Sequence, residues 1–129
     1  MNSYCCIEDG VDTHAAVILG YENGATAIAT SALTAKKPES AYIYGSKGYI
    51  FIPNFYGAQK LVINKNGSET VIEKPSIGVG FEEEIIESCK CIAAGKTQSD
   101  IHPMTDSIKI LEIMDTVRKQ NGIVYPSER

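Results

Sequence analysis

The residues of this chain whose types suit chemistry are few and widely spaced. Its two histidines, His14 and His102, lie far apart in the sequence, and neither has a partner at the spacing of a metal site or a catalytic triad. His102 precedes Pro103 at the predicted entry to a helix, so we expect a backbone or capping role there. We expect both histidines to be ordinary structural residues.

The four cysteines form two close pairs, Cys5 with Cys6 and Cys89 with Cys91. Neither pair has the two-residue gap that is typical of a zinc knuckle. On a helix, Cys89 and Cys91 would point about 200° apart, which is unfavourable for sharing a metal ion. We therefore expect reduced, partly buried cysteines and no metal site.

Three consecutive acids, Glu82, Glu83 and Glu84, follow the glycine-containing stretch Gly78-Val79-Gly80. A glycine-rich loop before a helix can bind phosphate, but three carboxylates would repel that anion. Acids in the first turn of a helix also stabilise it without any catalytic role. The sequence therefore predicts a helix start here, and motifs for dinucleotides, nucleotide phosphates, zinc peptidases and serine hydrolases are absent from the chain.

Two adjacent aromatic residues, Phe55 and Tyr56, lie in the predicted loop that follows Pro53. An exposed ring in a loop suits a ligand pocket or an interface, because core packing does not explain it. A loop that merely folds back on the sheet explains the same pattern, and both interpretations stay open at this point.

Tight turns between β-prone runs divide the first part of the chain into strands. A hairpin is predicted with arms over residues 41–44 and 49–52, joined by Gly45, Ser46, Lys47 and Gly48, in which both glycines are expected to supply positive φ angles. Asn-Gly pairs at 23–24 and 66–67 predict two more reversals. The first 73 residues therefore predict about six antiparallel strands.

The apolar period then changes to one that is typical of helices. One helix is predicted over residues 81–94, with Gly95 as its stop, and a second over residues 105–120, with Thr105 as its N-cap and Gly122 just beyond its end. Strands followed by helices indicate an α+β fold, here a predominantly antiparallel open sheet with two long helices on one face.

The other face of that sheet is expected to meet another surface. The strands predicted over residues 14–20 and 25–33 carry small or apolar residues on both sides and no charge. A strand with one side in water would alternate with polar or charged residues. The pattern therefore predicts a face available for dimerisation or for a further domain.

Size and charge restrict the class of protein. The chain has 129 residues, which predicts a single domain, and its net charge of −4 argues against a nucleic-acid partner. No apolar run has the length of a membrane span or the pattern of a signal peptide, so we expect a cytoplasmic protein with no membrane partner.

The ordered set of motifs resembles the C-terminal domain of the glucose-fructose oxidoreductase and inositol dehydrogenase (Gfo/Idh/MocA) family, in its dihydrodiol or xylose dehydrogenase branch. The resemblance covers residues 10–126. The matching pieces are Gly10-Val11-Asp12, Tyr21-Glu22-Asn23-Gly24-Ala25, Tyr44-Gly45-Ser46-Lys47-Gly48 with Ile52-Pro53, Phe81-Glu82 with Glu84-Ile85, Gly95-Lys96, Asp106-Ser107, Ile113-Met114-Asp115, Arg118, Gly122 and Tyr125-Pro126.

This resemblance implies a domain that binds substrate and mediates oligomerisation in an oxidoreductase that uses NAD or NADP and acts on a sugar, a polyol or a dihydrodiol. The family's dinucleotide fingerprint and its Glu-Lys-Pro lysine have no counterpart in this sequence, so the N-terminal Rossmann half is expected to be absent. We therefore assign no catalytic or cofactor-binding residue and expect no activity from the chain alone. The resemblance implies substrate-binding positions at Phe55, Tyr56 and Phe81.

A second interpretation keeps the fold but not the enzymatic role. A free-standing, non-enzymatic module that associates with itself through its sheet accounts for the same uncharged strands. Self-association does not separate the two interpretations, because both predict it.

Overall fold

The computed structural model describes residues 1–125, which fall into two compact units. The first unit comprises residues 1–36 together with residues 100–125, and the second comprises residues 37–99. We expected the chain to form a single domain. Whether it does depends on how these two units assemble, so the single domain stays a prediction. Pro126, the last residue of the family pattern, lies outside the described residues.

The α+β class is confirmed, with seven strands in the described residues where about six were expected. The strands form two antiparallel sheets of three and four strands. The elements are β1 (Asn2–Glu8), β2 (Val11–Gly20), β3 (Thr26–Ala32), β4 (Ala41–Gly45), β5 (Gly48–Ile52), a short 3-10 helix (Phe55–Gly57), β6 (Lys60–Lys65), β7 (Ser68–Glu73), α1 (Phe81–Ala93) and α2 (Met104–Asn121).

In the first unit, α2 packs on β1 at one face of the sheet β1-β2-β3. The side chain of Asn121 joins the two elements: its Oδ1 accepts a hydrogen bond from the Cys5 amide at 2.8 Å, and its Nδ2 donates to Ser3 Oγ at 2.9 Å. Cys5 is buried beneath this contact. Cys5 and Thr13 are the buried residues in the described part of the chain, each with 8% of its surface exposed, so the unit has little core of its own.

The opposite face of this sheet is exposed. The register places Tyr4 beside Ala16 and Ala16 beside Thr30, with Ile18 and Ile28 as the next pair on the same side. Ile28 is 73% exposed, and Tyr4 and Ile18 are also exposed. Glu8, at the end of β1, is the one charged residue on this face among the described residues; the other members are Asn2, Tyr4, Cys6, His14, Ala16, Ile18, Gly20, Thr26, Ile28, Thr30 and Ala32.

The second unit contains the sheet β4-β5-β6-β7, in which each strand pairs with the next along the chain. Its two sides differ in residue type because side chains alternate along each strand. One side is aliphatic and carries Ile43, Ile50, Ile52, Leu61, Ile63 and Ile72. The other side carries the aromatic residues Tyr42, Tyr44, Tyr49 and Phe51.

The β4–β5 hairpin turns through Ser46 and Lys47 and depends on one glycine. Gly48 has a φ of +149°, and a Cβ atom there would lie 1.9 Å from the backbone oxygen of Asn64 on β6. The expectation that both hairpin glycines take positive φ is wrong for Gly45, because the two-residue turn requires this backbone only at Gly48. Gly48 also lets β6 approach β5 closely.

The first helix begins and ends near its predicted bounds. It runs Phe81–Ala93, and Gly95, with a φ of +67°, ends it as expected. Two hydrogen bonds close the last turn: Gly95 N donates to Ile92 O at 3.0 Å and Lys96 N donates to Cys91 O at 2.9 Å. This is the helix end that a glycine in the left-handed conformation permits.

The second helix begins one residue earlier than expected, and its cap is different. Pro103 occupies the N-cap position in extended conformation without a side-chain hydrogen bond, and Asp106 N donates to Pro103 O at 2.9 Å. The prediction of Thr105 as the N-cap is therefore wrong, because Pro103 already sets the extended residue that precedes a helix. Gly122 ends the helix as expected.

Neither helix of the described residues combines the length and apolar character needed to cross a membrane.

We predict that Gly48→Ala destabilises the second unit by about 2 to 3 kcal/mol, because a side chain there meets backbone and takes a strained φ. Urea unfolding followed by circular dichroism measures this change. Gly45→Ala is the matched control, since a Cβ at Gly45 meets Gly48 O only at 3.8 Å, an ordinary contact. Equal stability of the two variants would contradict the role assigned to Gly48.

Candidate functional site

The loop after β5 holds Phe55 and Tyr56 in a short 3-10 turn. Asn54 precedes the turn in the left-handed conformation, with a φ of +49°, and Phe55 N donates to Glu39 O at 2.9 Å, which ties the loop to the residues before β4. The two rings lie 4.2 Å apart between centroids, at an angle of 31°. Tyr56 is 77% exposed and Phe55 is 43% exposed. The loop therefore presents a fixed pair of accessible rings.

Phe81, the third predicted substrate-binding residue, lies elsewhere in the same unit. It is the first residue of α1 and is 67% exposed. Within residues 1–125, no ring contact joins it to Phe55 or Tyr56. The structure thus brings two of the three predicted residues together, and the binding role of all three stays a prediction.

A row of four rings on the sheet was not predicted as a functional feature. Tyr42 and Tyr44 of β4 stack with centroids 5.6 Å apart and planes 4° apart, and Tyr42 also stacks on Phe51 of β5 at 4.6 Å. Tyr49 lies 6.1 Å from Tyr42 and 6.2 Å from Tyr44. The signal was available, because a two-residue turn places these four positions on one side of the hairpin.

The acidic turn at the start of α1 has a structural explanation. Glu82 folds its carboxylate back onto the preceding loop, where Oε2 accepts from Gly80 N at 2.9 Å and Oε1 accepts from Val79 N at 3.3 Å. Its own backbone amide, and then the amides of Val79 and Gly80, lower the pKa of this carboxyl, although partial desolvation opposes them. A Cβ at Gly78 would lie 2.2 Å from Glu82 Oε1, so a glycine makes room for the carboxylate.

A second acid on α1 joins the helix to the segment that follows it. Glu87 Oε1 accepts from Ser99 Oγ at 2.6 Å and from Cys91 Sγ at 3.5 Å. The bond from Ser99 lowers the pKa of Glu87 most, followed by the bond from Cys91, with smaller contributions from Lys90 and Lys96. These contacts fasten the helix to the loop after it, which accounts for Glu87 without a catalytic role.

The histidines bond to hydroxyl groups beside them. His14 Nε2 shares a hydrogen bond with Thr34 Oγ1 at 3.2 Å, and its Nδ1 lies 3.4 Å from Thr13 Oγ1. His102 Nε2 and Ser107 Oγ are 3.1 Å apart at the start of α2. In the part of the chain that the structure describes, no three His, Cys, Asp or Glu side chains come together in a way that suits a metal ion.

Comparison with known proteins shows which proteins are similar to this chain in sequence. No model of a protein family matches it. It is 35% identical to the trans-1,2-dihydrobenzene-1,2-diol dehydrogenase of Xenopus laevis over 127 residues, which is 92% of this chain and 38% of that protein. The chain is a homologue of these dehydrogenases. The resemblance to the dihydrodiol and xylose dehydrogenase branch of the Gfo/Idh/MocA family is therefore confirmed.

Other relatives show the same coverage. The dihydrobenzenediol dehydrogenase of Danio rerio is 30% identical over 95% of this chain and 39% of that protein. The D-xylose 1-dehydrogenase (NADP(+)) of Hypocrea jecorina is 29% identical over 91% of this chain and 34% of that protein. This dehydrogenase homologue thus spans about 38% of the length of the curated relatives that it matches first.

The loop before α1 does not suit the diphosphate of a dinucleotide. The amides of Val79 and Gly80 point at the Glu82 carboxylate, which already satisfies them. A diphosphate at this position would have to displace that carboxylate and then lie beside it and two further glutamates. We therefore derive no role for this loop in holding a nicotinamide cofactor.

We predict that Glu82 stabilises the folded chain at pH values above the ordinary glutamate pKa of about 4.3. This stabilisation is lost as the pH falls through the lower pKa that Glu82 has in the folded chain. The sign follows because a carboxyl with a depressed folded pKa binds fewer protons in the folded than in the unfolded state. Unfolding free energy measured between acidic and neutral pH should fall less steeply on acidification in Glu82→Gln than in the unsubstituted chain. Glu84→Gln makes the same charge change in the same turn without removing this contact and serves as the control. A slope in Glu82→Gln equal to that of the unsubstituted chain would contradict the contact.

Proposed function

We propose that this chain is the substrate-binding and oligomerisation domain of an NAD(P)-dependent oxidoreductase that acts on a sugar, a polyol or a dihydrodiol. The observation that supports it is homology to dihydrobenzenediol and D-xylose dehydrogenases over more than nine tenths of the chain. Because the chain spans little more than a third of those proteins, we assign it the part that positions the substrate, corresponding to their C-terminal portion.

Phe55 and Tyr56 are the residues that we propose to contact the substrate. Their rings lie 4.2 Å apart and remain accessible, so they offer an apolar surface to the carbon skeleton of a hydroxylated ring. The Tyr56 hydroxyl adds a polar group that can bond to a substrate hydroxyl. Phe81, exposed at the start of α1, is proposed as a further pocket residue.

In this proposal, hydride transfer depends on a nicotinamide held by a Rossmann half outside this chain. A nicotinamide cofactor supplies the hydride chemistry, and the protein supplies binding and orientation. The loop before α1 does not provide a diphosphate site, because Glu82 occupies its amides. We therefore expect the chain alone to bind substrate without oxidising it.

The open face of the first unit is the surface that we propose for oligomerisation. Tyr4, Ile18 and Ile28 lie exposed on it, and its one charged side chain among the described residues is Glu8, at the end of β1. Burying such a face removes apolar area from water at about 25 cal/mol per Å². An isologous pair of such faces brings two mostly uncharged surfaces together.

The alternative, a non-enzymatic self-associating module, is supported by the same open, mostly uncharged face. The two proposals differ in what they expect at Phe55 and Tyr56. A substrate domain binds a diol or a sugar there, whereas a module associates with itself and leaves these rings without a ligand.

We predict that the chain binds trans-1,2-dihydrobenzene-1,2-diol or D-xylose and that Tyr56→Ala weakens this binding at least about tenfold, because it removes one ring of the pair. Amide chemical-shift titration by NMR measures the affinity. Tyr21→Ala, which removes another exposed tyrosine from a turn of the first unit, is the control and should bind normally. With NADP added, neither form should produce reduced cofactor.

Equal affinity of the Tyr56→Ala and unsubstituted chains would contradict the assigned site. Absence of any binding, together with intact self-association, would favour the non-enzymatic module instead. Cofactor reduction by the purified chain would show that the domain is not limited to positioning substrate.

We predict that Ile28→Lys weakens self-association at least about tenfold, because it places a charge in the centre of the open face. Sedimentation velocity over a range of concentrations measures the change. Val79→Lys adds the same charge at another exposed apolar position, in the loop before α1, and should associate normally. Unchanged association of Ile28→Lys would exclude this face as the interface.

A further inference from the structure

The outer edge of β4 is an unpaired sheet edge in the described residues. β4 ends the order β4-β5-β6-β7, and its Gly45 closes the two-residue turn opposite Gly48. Asn66 N donates to Lys47 O, so Lys47 and every second residue after it along β5 bond to β6. The residues between them, which include Gly48 and Ile50, bond to β4. Their partners on β4 are Ala41, Ile43 and Gly45. The backbone groups of Tyr42 and Tyr44 therefore face outward.

This edge lacks the features by which sheet edges usually avoid other strands. Such features are charged residues, prolines and bulges along the edge strand. β4 contains none of them, and its pairing with β5 is regular. The opposite edge strand, β7, carries Glu69 and Glu73. The β4 edge is therefore the one of the two that suits another strand.

We propose that β4 pairs antiparallel with β4 of a second copy of this chain, about a two-fold axis at Ile43. In this register Tyr42 of one copy lies opposite Tyr44 of the other, and the outward backbone groups of these residues form the hydrogen bonds. Ala41 lies opposite Gly45, and Ile43 lies opposite Ile43 of the second copy. The two four-stranded sheets become one sheet of eight strands.

The charges at the two ends of β4 favour this partner and this direction. Glu39 precedes the strand and Lys47 follows it, while the residues between them carry no charge. Antiparallel pairing centred on Ile43 brings Glu39 of each copy towards Lys47 of the other. Parallel pairing in register would instead place like charges side by side. The edge is thus complementary to itself in the antiparallel direction.

The aromatic row gains contacts in the same arrangement. Tyr42 and Tyr44 already stack on each other and on Phe51 behind them, and Tyr44 is 75% exposed. Pairing with a second copy joins the two rows across the new strand pair, and cross-strand aromatic pairs stabilise sheets. This surface lies in the second unit and is separate from the open face of the first, so the inference does not rest on the proposed enzymatic role.

Charge reversal tests the register. In the Ile28→Lys chain, in which association through the open face is weakened, Glu39→Lys and Lys47→Glu each place like charges at both ends of the paired strands, and each should weaken the remaining dimerisation about tenfold. An equimolar mixture of the two variants, and the chain that carries both, should recover it, because opposite charges then face each other again. Glu69→Lys on β7 is the control and should dimerise normally. Sedimentation velocity measures the dissociation constants.

The proposal is overturned if the charge-reversed variants dimerise like Ile28→Lys itself, if mixing them restores nothing, or if Ile28→Lys stays monomeric. Amide hydrogen exchange supplies a readout specific to the edge. The amides of Tyr42 and Tyr44 should exchange more slowly as the chain concentration rises, in Ile28→Lys as well as in the unsubstituted chain. Fast exchange of these amides in a dimer would assign association to the open face instead and leave the enzymatic proposal intact.

Discussion

Backbone pairing between neighbouring strands is the interaction on which both units depend. Only Cys5 and Thr13 among the described residues are buried, so side-chain packing contributes little to either unit by itself. The strand register decides which side chains share a face of each sheet, because a slip of one residue would move every side chain to the opposite face. In the second unit, the two-residue turn and Gly48 set that register, and the rings of β4 and β5 then share one side while the isoleucines share the other.

The same dependence explains why so much apolar surface faces outward. A three-stranded sheet with a helix on one side buries only that side, and the remaining face keeps Tyr4, Ile18 and Ile28 in contact with water. Mostly uncharged faces and edges of this kind are typical of surfaces that another protein surface covers. Homology to much longer dehydrogenases is consistent with this, since the matched part is about 38% of those proteins.

Two acids of α1, Glu82 and Glu87, serve the fold. Glu82 places its carboxylate on the amides of its own loop, and Glu87 accepts hydrogen bonds from Ser99 and Cys91. Each lies on α1, whose start favours acids through the helix dipole. The side chains that we propose for recognition are aromatic: the pair Phe55 and Tyr56 in the loop, and the row that includes Tyr42 and Tyr44 on the sheet.

The sequence by itself determined the features that depend on neighbouring residues. Turns at the Asn-Gly pairs, the two helices, their glycine stops, the α+β class and the family resemblance all follow from local pattern. Tertiary structure alone decided which distant groups meet: the division of the strands between two sheets, the four rings on one side of a hairpin, and the Glu82 carboxylate in the glycine loop. The reason is physical, since turn and helix preferences act over a few residues, whereas strand partners and side-chain contacts depend on segments far apart in the chain.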